Sequence, residues 1–289
     1  MSANSSVLRC LLLVNVVWGC AAHLAGQDTS TSASAAADSQ LASTPKAPNS
    51  STEKMLTNYL ETGGEYLFLT NGFGSWSGGY VRGVLDMGSD ILTGEVNGQR
   101  EFGDAGAYFA VGDTHSFTAN TYASLTFGSS GGGFFYPRYR GDAFVSQKWL
   151  KRKQLITTFG FGYYAAKDPH RDRSMSFGTT YYFDKRWILE DGVRFNLSNP
   201  GAVFSPSGFV AITQGRNKQH YVTARIGYGQ EAYQLIGPAD ALSSFRSRTV
   251  TVTWRQWIGT NWGTNGVADF YGSPYYARAG ATLGLFREF

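Results

Sequence analysis

Tyr275-Tyr276-Ala277-Arg278-Ala279-Gly280-Ala281-Thr282-Leu283-Gly284-Leu285-Phe286-Arg287-Glu288-Phe289 is the stretch on which the fold turns. Counting back in twos from Phe289, one phase carries Leu285, Leu283, Ala281, Ala279, Ala277 and Tyr275, interrupted only by Arg287. Side chains of a β-strand alternate between faces, so such a run is a strand with one apolar side. The period recurs through the chain. In Ser116 to Phe127, Phe117, Ala119, Thr121, Ala123, Leu125 and Phe127 oppose Ser116, Thr118, Asn120, Tyr122, Ser124 and Thr126. Leu155, Phe159, Phe161 and Tyr163 oppose Thr158, Gly160 and Gly162; Met175, Phe177, Tyr181 and Phe183 oppose Ser174, Ser176, Gly178 and Thr180. Val222, Ala224, Ile226 and Tyr228 oppose Tyr221, Thr223, Arg225 and Gly227, while Val250, Val252 and Trp254 oppose Thr249, Thr251, Thr253 and Arg255.

Alternation alone does not separate a soluble sandwich from a membrane barrel. Length and aromatic placement do. Several runs reach the ten or so residues that a tilted strand needs to cross the hydrocarbon layer, against about 5 to 6 in soluble sheets. Trp187, Trp254, Trp257, Trp262, Tyr271, Tyr275 and Tyr276 fall near strand ends, where an interfacial girdle would put them. No stretch after the N-terminal segment is apolar for the ~18 residues of a spanning helix. A terminal strand ending in Phe289 also has the form of the signal that outer-membrane assembly machinery recognises, although Arg287 stands where an apolar residue is expected. The expected fold is therefore an all-β, antiparallel up-and-down transmembrane β-barrel in the outer membrane of a Gram-negative bacterium. Segments begin near Tyr66, Tyr80, Leu92, Gly106, Ser116, Tyr139, Leu155, Ser174, Trp187, Ser207, His220, Ser247, Trp262 and Tyr276. Because that division is tight and short early segments could merge, twelve strands are expected, with fourteen as the alternative.

Ahead of the barrel, Arg9 followed by apolar Leu11 to Trp18 and small residues Gly19 to Ala22 reads as an export signal. The domains expected are a signal peptide at 1–26, a disordered periplasmic linker rich in Ser, Thr and Ala at 27–64, and the barrel at 65–289. Cys10 and Cys20 both lie in the signal, so the mature body has no thiol to form a disulfide or bind metal. An alternative reading of Val17-Trp18-Gly19-Cys20 acylates Cys20. The composition fits a glycine-rich and aromatic-rich β protein: of 289 residues 36 are Gly and 15% are aromatic, against 16% charged. The net charge of +4 comes from scattered residues rather than a run, which disfavours a nucleic-acid partner.

On the inferred lumen phase lie Arg82, Asp86, Glu95, Glu101, Arg140, Asp142, Lys148, Glu190, Arg194, Arg225, Arg255, Asp269 and Arg278. Facing lipid, a base at midplane would cost about 2 to 4 kcal/mol, so these residues point inward. A self-paired network filling a narrow barrel is the expectation for them. Arg194, Arg225, Arg255 and Arg278 are the candidate ligand or pore residues, since rings of charge set selectivity in channels. No cofactor, metal cluster or catalytic residue is expected. His115 and Ser116 are strand neighbours pointing to opposite faces, and His170 and His220 read as solvated loop residues. A lipid-active or glycan-active barrel enzyme and a secreted carbohydrate-binding sandwich are the competing readings. The segments Gln230 to Leu242 and Phe134 to Arg140 are the longest connections and the natural outer-face candidates.

Several short motifs add a resemblance. They are Gln99-Arg100-Glu101-Phe102-Gly103-Asp104, Asn199-Pro200-Gly201, Gly229-Gln230-Glu231-Ala232-Tyr233, Trp262-Gly263, Arg278-Ala279-Gly280 and Gly284 to Phe289. Through these, Glu65 to Phe289 resembles the YaiO family of outer-membrane β-barrel proteins. The resemblance implies fold and location and no biochemical activity; its functional hint is a context of surface polysaccharide or envelope functions. The partners expected are the lipid bilayer, lipopolysaccharide, the barrel assembly machinery through Phe289, and polysaccharide.

Overall fold

The structure, a computed structural model, describes residues 58–183, 186–238 and 240–289. The export signal, the lipidation site and most of the linker lie outside the described residues. Fourteen strands follow in chain order: β1 (Tyr59–Leu69), β2 (Ser75–Asp86), β3 (Asp90–Glu101), β4 (Asp104–Ser116), β5 (Thr121–Gly132), β6 (Tyr139–Trp149), β7 (Leu155–Ala165), β8 (Arg171–Tyr182), β9 (Trp187–Asn199), β10 (Val203–Arg216), β11 (His220–Leu235), β12 (Ala241–Trp257), β13 (Trp262–Gly272) and β14 (Ala277–Glu288). Each pairs antiparallel with its sequence neighbours, and β1 pairs with β14 from Tyr59↔Glu288 to Leu69↔Arg278, closing the barrel. Closure leaves no sheet edge with unpaired backbone, the condition for a sheet to span lipid.

The count is fourteen rather than twelve, because the short early segments pair as separate full-length strands. The barrel also begins at Tyr59, six residues before the expected boundary at Glu65. Glycines at Gly63 and Gly64 masked the alternation there: a Cβ at Gly63 would sit 2.6 Å from the Leu283 carbonyl, so the site is a tight approach within an ordinary strand. Ser116 to Phe127 is not one strand. β4 ends at Ser116 and β5 begins at Thr121, with the Phe117 and Thr118 amides both donating to the Thr121 carbonyl at 3.1 Å. The phase survives the turn by coincidence, which is why periodicity missed it.

Both chain ends of the barrel lie together, with the Phe289 amide donating to the Asn58 carbonyl at 3.0 Å. This is the terminal end; the opposite rim is the far end. The outward phase is predominantly apolar, with Asp191, Arg246 and Arg248 among its charged exceptions. Phe68, Val111, Leu125, Phe161, Ile226, Leu283 and Leu285 are exposed, as they must be if lipid is their solvent. At the terminal end Trp149, Trp187 and Trp262 face outward, and at the far end Tyr66, Tyr139, Tyr163 and Tyr275 do. These form the girdle. Of the residues expected in it, Trp257, Tyr271 and Tyr276 are instead buried in the lumen, because their parity places them on the inward face or in an inward turn.

Candidate functional site: a filled lumen under a folded-over hairpin

The interior is built in layers. At the terminal end large inward residues form two clusters: Tyr59, Val84, Ile91, Tyr122 and Ile156 are buried together with Tyr182 against them, and Tyr221, Trp257 and Phe286 form a second. Above them lies an ionic group centred on Glu61. Its carboxylate accepts from Arg255 at 3.1 Å and from the Tyr80 hydroxyl at 3.1 Å, and it faces Arg82 at 3.7 Å. The Arg255 guanidinium also lies 3.4 Å from the centroid of the Phe286 ring. A buried charge needs a partner, and here one carboxylate serves two guanidiniums while aromatic faces supply the remaining field.

Toward the far end the lumen holds two further groups. Arg278 donates to Asp269 at 3.1 Å and lies over the Trp76 and Tyr271 rings at 4.7 and 5.0 Å. Tyr271 in turn donates to Glu231 at 2.9 Å. On the other wall Arg140 donates to Asp142 at 2.9 Å and Arg194 donates to the Ser174 hydroxyl at 3.0 Å. Arg225 lies 3.7 Å from the Phe209 ring centroid. The four arginines expected as a site thus point inward, but each sits in a separate environment with its own partners, and the structure does not bring them to one point. Glu61, the carboxylate that organises the densest group, was missed because it fell on the linker side of the expected boundary. The alternation Tyr59, Glu61, Gly63, Glu65, Leu67 against Leu60, Thr62, Gly64, Tyr66, Phe68 was the signal that would have found it.

The far end is closed by two segments that double back. In the 133–138 connection, left-handed backbone at Gly132 (φ +62°) and Gly133 (φ +56°) turns the chain inward. Phe135 and Tyr136 are consequently buried, and the Tyr136 hydroxyl lies 2.9 Å from Gln99 Oε1 and 3.1 Å from Asn97 Oδ1. Lys167, in the turn after β7, donates to the Gly132 and Gly133 carbonyls, and burial pushes its pKa below the ordinary lysine value. The second segment is the tip of the β11–β12 hairpin. Gln230 to Leu242 is not a loop: β11 runs to Leu235 and β12 starts at Ala241. The tip folds over the mouth, so that residues 231–235 are buried on both faces. Ala232, Tyr233 and Leu235 pack with Phe134 and Val203, the Gln234 amide donates to the Tyr276 hydroxyl, and Tyr233 stacks on His170 at 3.7 Å between centroids. His170, bonded to Asp168 at 2.5 Å, is therefore part of the cover rather than a free loop residue. The Phe73, Trp76, Phe102 and Tyr276 rings complete the layer.

Some inward positions stay half-buried along one wall: Thr93 and Glu95 of β3, Ala110 and Gly112 of β4, Thr126 of β5 and Arg140 of β6. Elsewhere the central charged side chains are shielded, Arg82 at 3% and Arg225 at 7% exposure, which a wide aqueous channel would not allow. His115 bonds to Asp90 at 2.7 Å at the terminal end, far from His170, and no group of metal-ligating residues occurs among the described residues.

A closed antiparallel barrel with lipid-facing apolar strands, aromatic girdles and a charged interior defines an integral outer-membrane β-barrel protein. The chain belongs to the YaiO membrane β-barrel family, whose domain model matches residues 57–234. Its architecture is also similar to solved outer-membrane channels. The CymD monoaromatic hydrocarbon channel aligns with a TM-score of 0.56 at 5% identity, over 80% of this chain and 88% of that one. The Pseudomonas putida toluene transporter TodX aligns with a TM-score of 0.53 at 11% identity, over 80% of this chain and 89% of that one. Identity at that level conveys the fold alone. A comparison with curated proteins gave no significant match.

Proposed function

We propose that the protein is a non-catalytic, closed outer-membrane barrel with an envelope scaffold role, its lumen serving as a packed core rather than an open diffusion pore. The observation that carries this reading is the burial of the central ion pairs between two aromatic layers, above all Glu61 with Arg82 and Arg255. In this reading the far end faces the outside, because an even number of strands leaves both ends of the barrel wall on the periplasmic side. Arg194, Arg225, Arg255 and Arg278 then act as lumen-filling counter-charges. Phe289, 54% exposed at the terminal rim, is accessible to assembly machinery there.

Planar-bilayer recording of the purified protein tests the proposal: the expected result is no steady conductance at moderate voltage. A stable, large open-state current would overturn it. A second reading, a constricted passage for small polar solutes, is favoured by the half-buried wall along β3 to β6. It predicts a small steady conductance that falls on Glu95→Gln. Unchanged lipid and lipopolysaccharide profiles in His115→Ala and His220→Ala variants are the expected outcome for a protein without catalysis.

A further inference from the structure

We propose that Arg246 and Arg248, on the outward face of β12 at the far rim, form a clamp for the phosphates of lipid A in the outer leaflet. The two arginines share one face of one strand, their Cα atoms two residues and so about 7 Å apart. In the ladder Arg248 stands between Tyr228 of β11 and Gly272 of β13, and Arg246 stands opposite Gln230. No acidic residue is among these neighbours. Among the described residues neither arginine has an ion pair or side-chain hydrogen bond, in contrast to outward Asp191, which Thr179 satisfies at 2.8 Å. Two like charges held on one face repel each other, and an anion that bridges them would relieve that repulsion.

The surface beneath identifies the anion's attachment. Directly toward the membrane centre, Ile226, Val250 and Phe270 are exposed at 64%, 43% and 40%. A bidentate basic pair set above an apolar floor fits an amphiphile whose phosphate lies at headgroup level and whose acyl chains run down the wall. It does not fit a free soluble phosphate, which gains nothing from the floor. In the outer leaflet the amphiphile of that chemistry is bis-phosphorylated lipid A. Arginine suits it better than lysine because its planar fork pairs with two phosphate oxygens.

The inference rests on the outward placement of the far end. That placement is tested separately by labelling Asp240→Cys, at an exposed position in the same hairpin tip, in intact cells with an impermeant maleimide, so failure of orientation and failure of the clamp are distinguishable. Binding to the detergent-solubilised full chain is then titrated by native mass spectrometry with lipid A, dephosphorylated lipid A, phosphatidylglycerol and inorganic phosphate. The expected result is that lipid A binds the wild type roughly tenfold more tightly than the R246Q/R248Q variant, from the loss of charge-assisted contacts. The K151Q/R216Q variant, which removes two charges at the terminal end, keeps wild-type affinity. Dephosphorylated lipid A binds the wild type as weakly as lipid A binds R246Q/R248Q. Equal lipid A affinity in wild type and R246Q/R248Q overturns the clamp, as does phosphatidylglycerol binding the wild type as tightly as lipid A. Competition by millimolar inorganic phosphate alone assigns the pair to a free anion and overturns it too. Should R246Q/R248Q lack the heat-modifiable mobility of a folded barrel, the comparison of the two lipid A forms on the wild type decides.

Discussion

Glu61 is the residue on which most of the terminal half of the lumen depends. Its carboxylate is buried and answers Arg82, Arg255 and the Tyr80 hydroxyl at once. In Glu61→Gln the amide keeps a hydrogen-bonding outline but leaves two guanidiniums buried without their shared counter-charge. Removing one partner of a buried pair typically costs about 3 to 5 kcal/mol. The expected outcome is a clear fall in the urea midpoint of the barrel refolded in lipid, with unfolding followed by tryptophan emission; a midpoint within error of wild type would mean that the lumen is hydrated enough to screen the arginines. Gly280 is the opposite case, important for what it lacks. A Cβ there would collide with the Tyr66 carbonyl and lie 2.6 Å from the Leu67 Cα, both on β1 across the closing seam. Backbone on a paired strand yields little, so Gly280→Ala is expected to cost about 1 to 3 kcal/mol as overpacking. The check is the fraction of protein reaching the heat-modifiable form, with Gly94→Ala, where no atom lies within 4 Å, as the tolerated comparison.

Among the elements, the β11–β12 hairpin is the one whose removal discriminates between a packed core and a covered passage. Its strands are 16 and 17 residues long, and the excess over a membrane-spanning strand is what folds across the mouth. Replacing Tyr233 to Ser243 by a two-residue Asn-Gly turn strips Tyr233 from His170, Leu235 from Phe134 and Gln234 from Tyr276 while leaving the ladder below intact. For a barrel packed to its centre the shortened protein stays silent in bilayer recordings; steady current on removing the tip would show that the hairpin is a gate over a pre-existing path. The same hairpin shows the limit of reading elements from pattern. Strand starts at Tyr139, Leu155, Trp187, His220 and Trp262 were legible because a turn cluster precedes a clean alternation. Beyond Gly229 the alternation stops, since residues 231–235 are covered on both faces, and a doubly buried strand looks like a loop to a period-two criterion. The 133–138 plug was illegible for a related reason: Phe134, Phe135 and Tyr136 carry no period, and only the three-dimensional turn at Gly132 and Gly133 sends them inward.

For the whole molecule, parity sorts the tryptophans into two populations, and that sorting reports on which face meets lipid. Trp149, Trp187 and Trp262 are outward at the terminal rim, exposed at 49%, 44% and 47%, whereas Trp76 and Trp257 are buried in the lumen at 0% and 6%. A soluble sandwich would reverse the logic, since its apolar phase would be the dry one and the exposed rings would meet water. In vesicles of phosphatidylcholine brominated close to the headgroup, single-tryptophan variants retaining Trp149, Trp187 or Trp262 should lose most of their emission, because bromine quenches only on near contact. Variants retaining Trp76 or Trp257 should keep theirs, and chains brominated near the bilayer centre should quench the first three less than shallow ones do. The charged lumen makes the contrast sharp: the wall between Trp257 and lipid is a hydrogen-bonded ladder with Arg255 on its inner side, and no brominated chain reaches across it. Quenching of Trp257 as strong as that of Trp262 would mean that lipid enters the barrel through an open seam and that the ladder does not keep the lumen free of acyl chains.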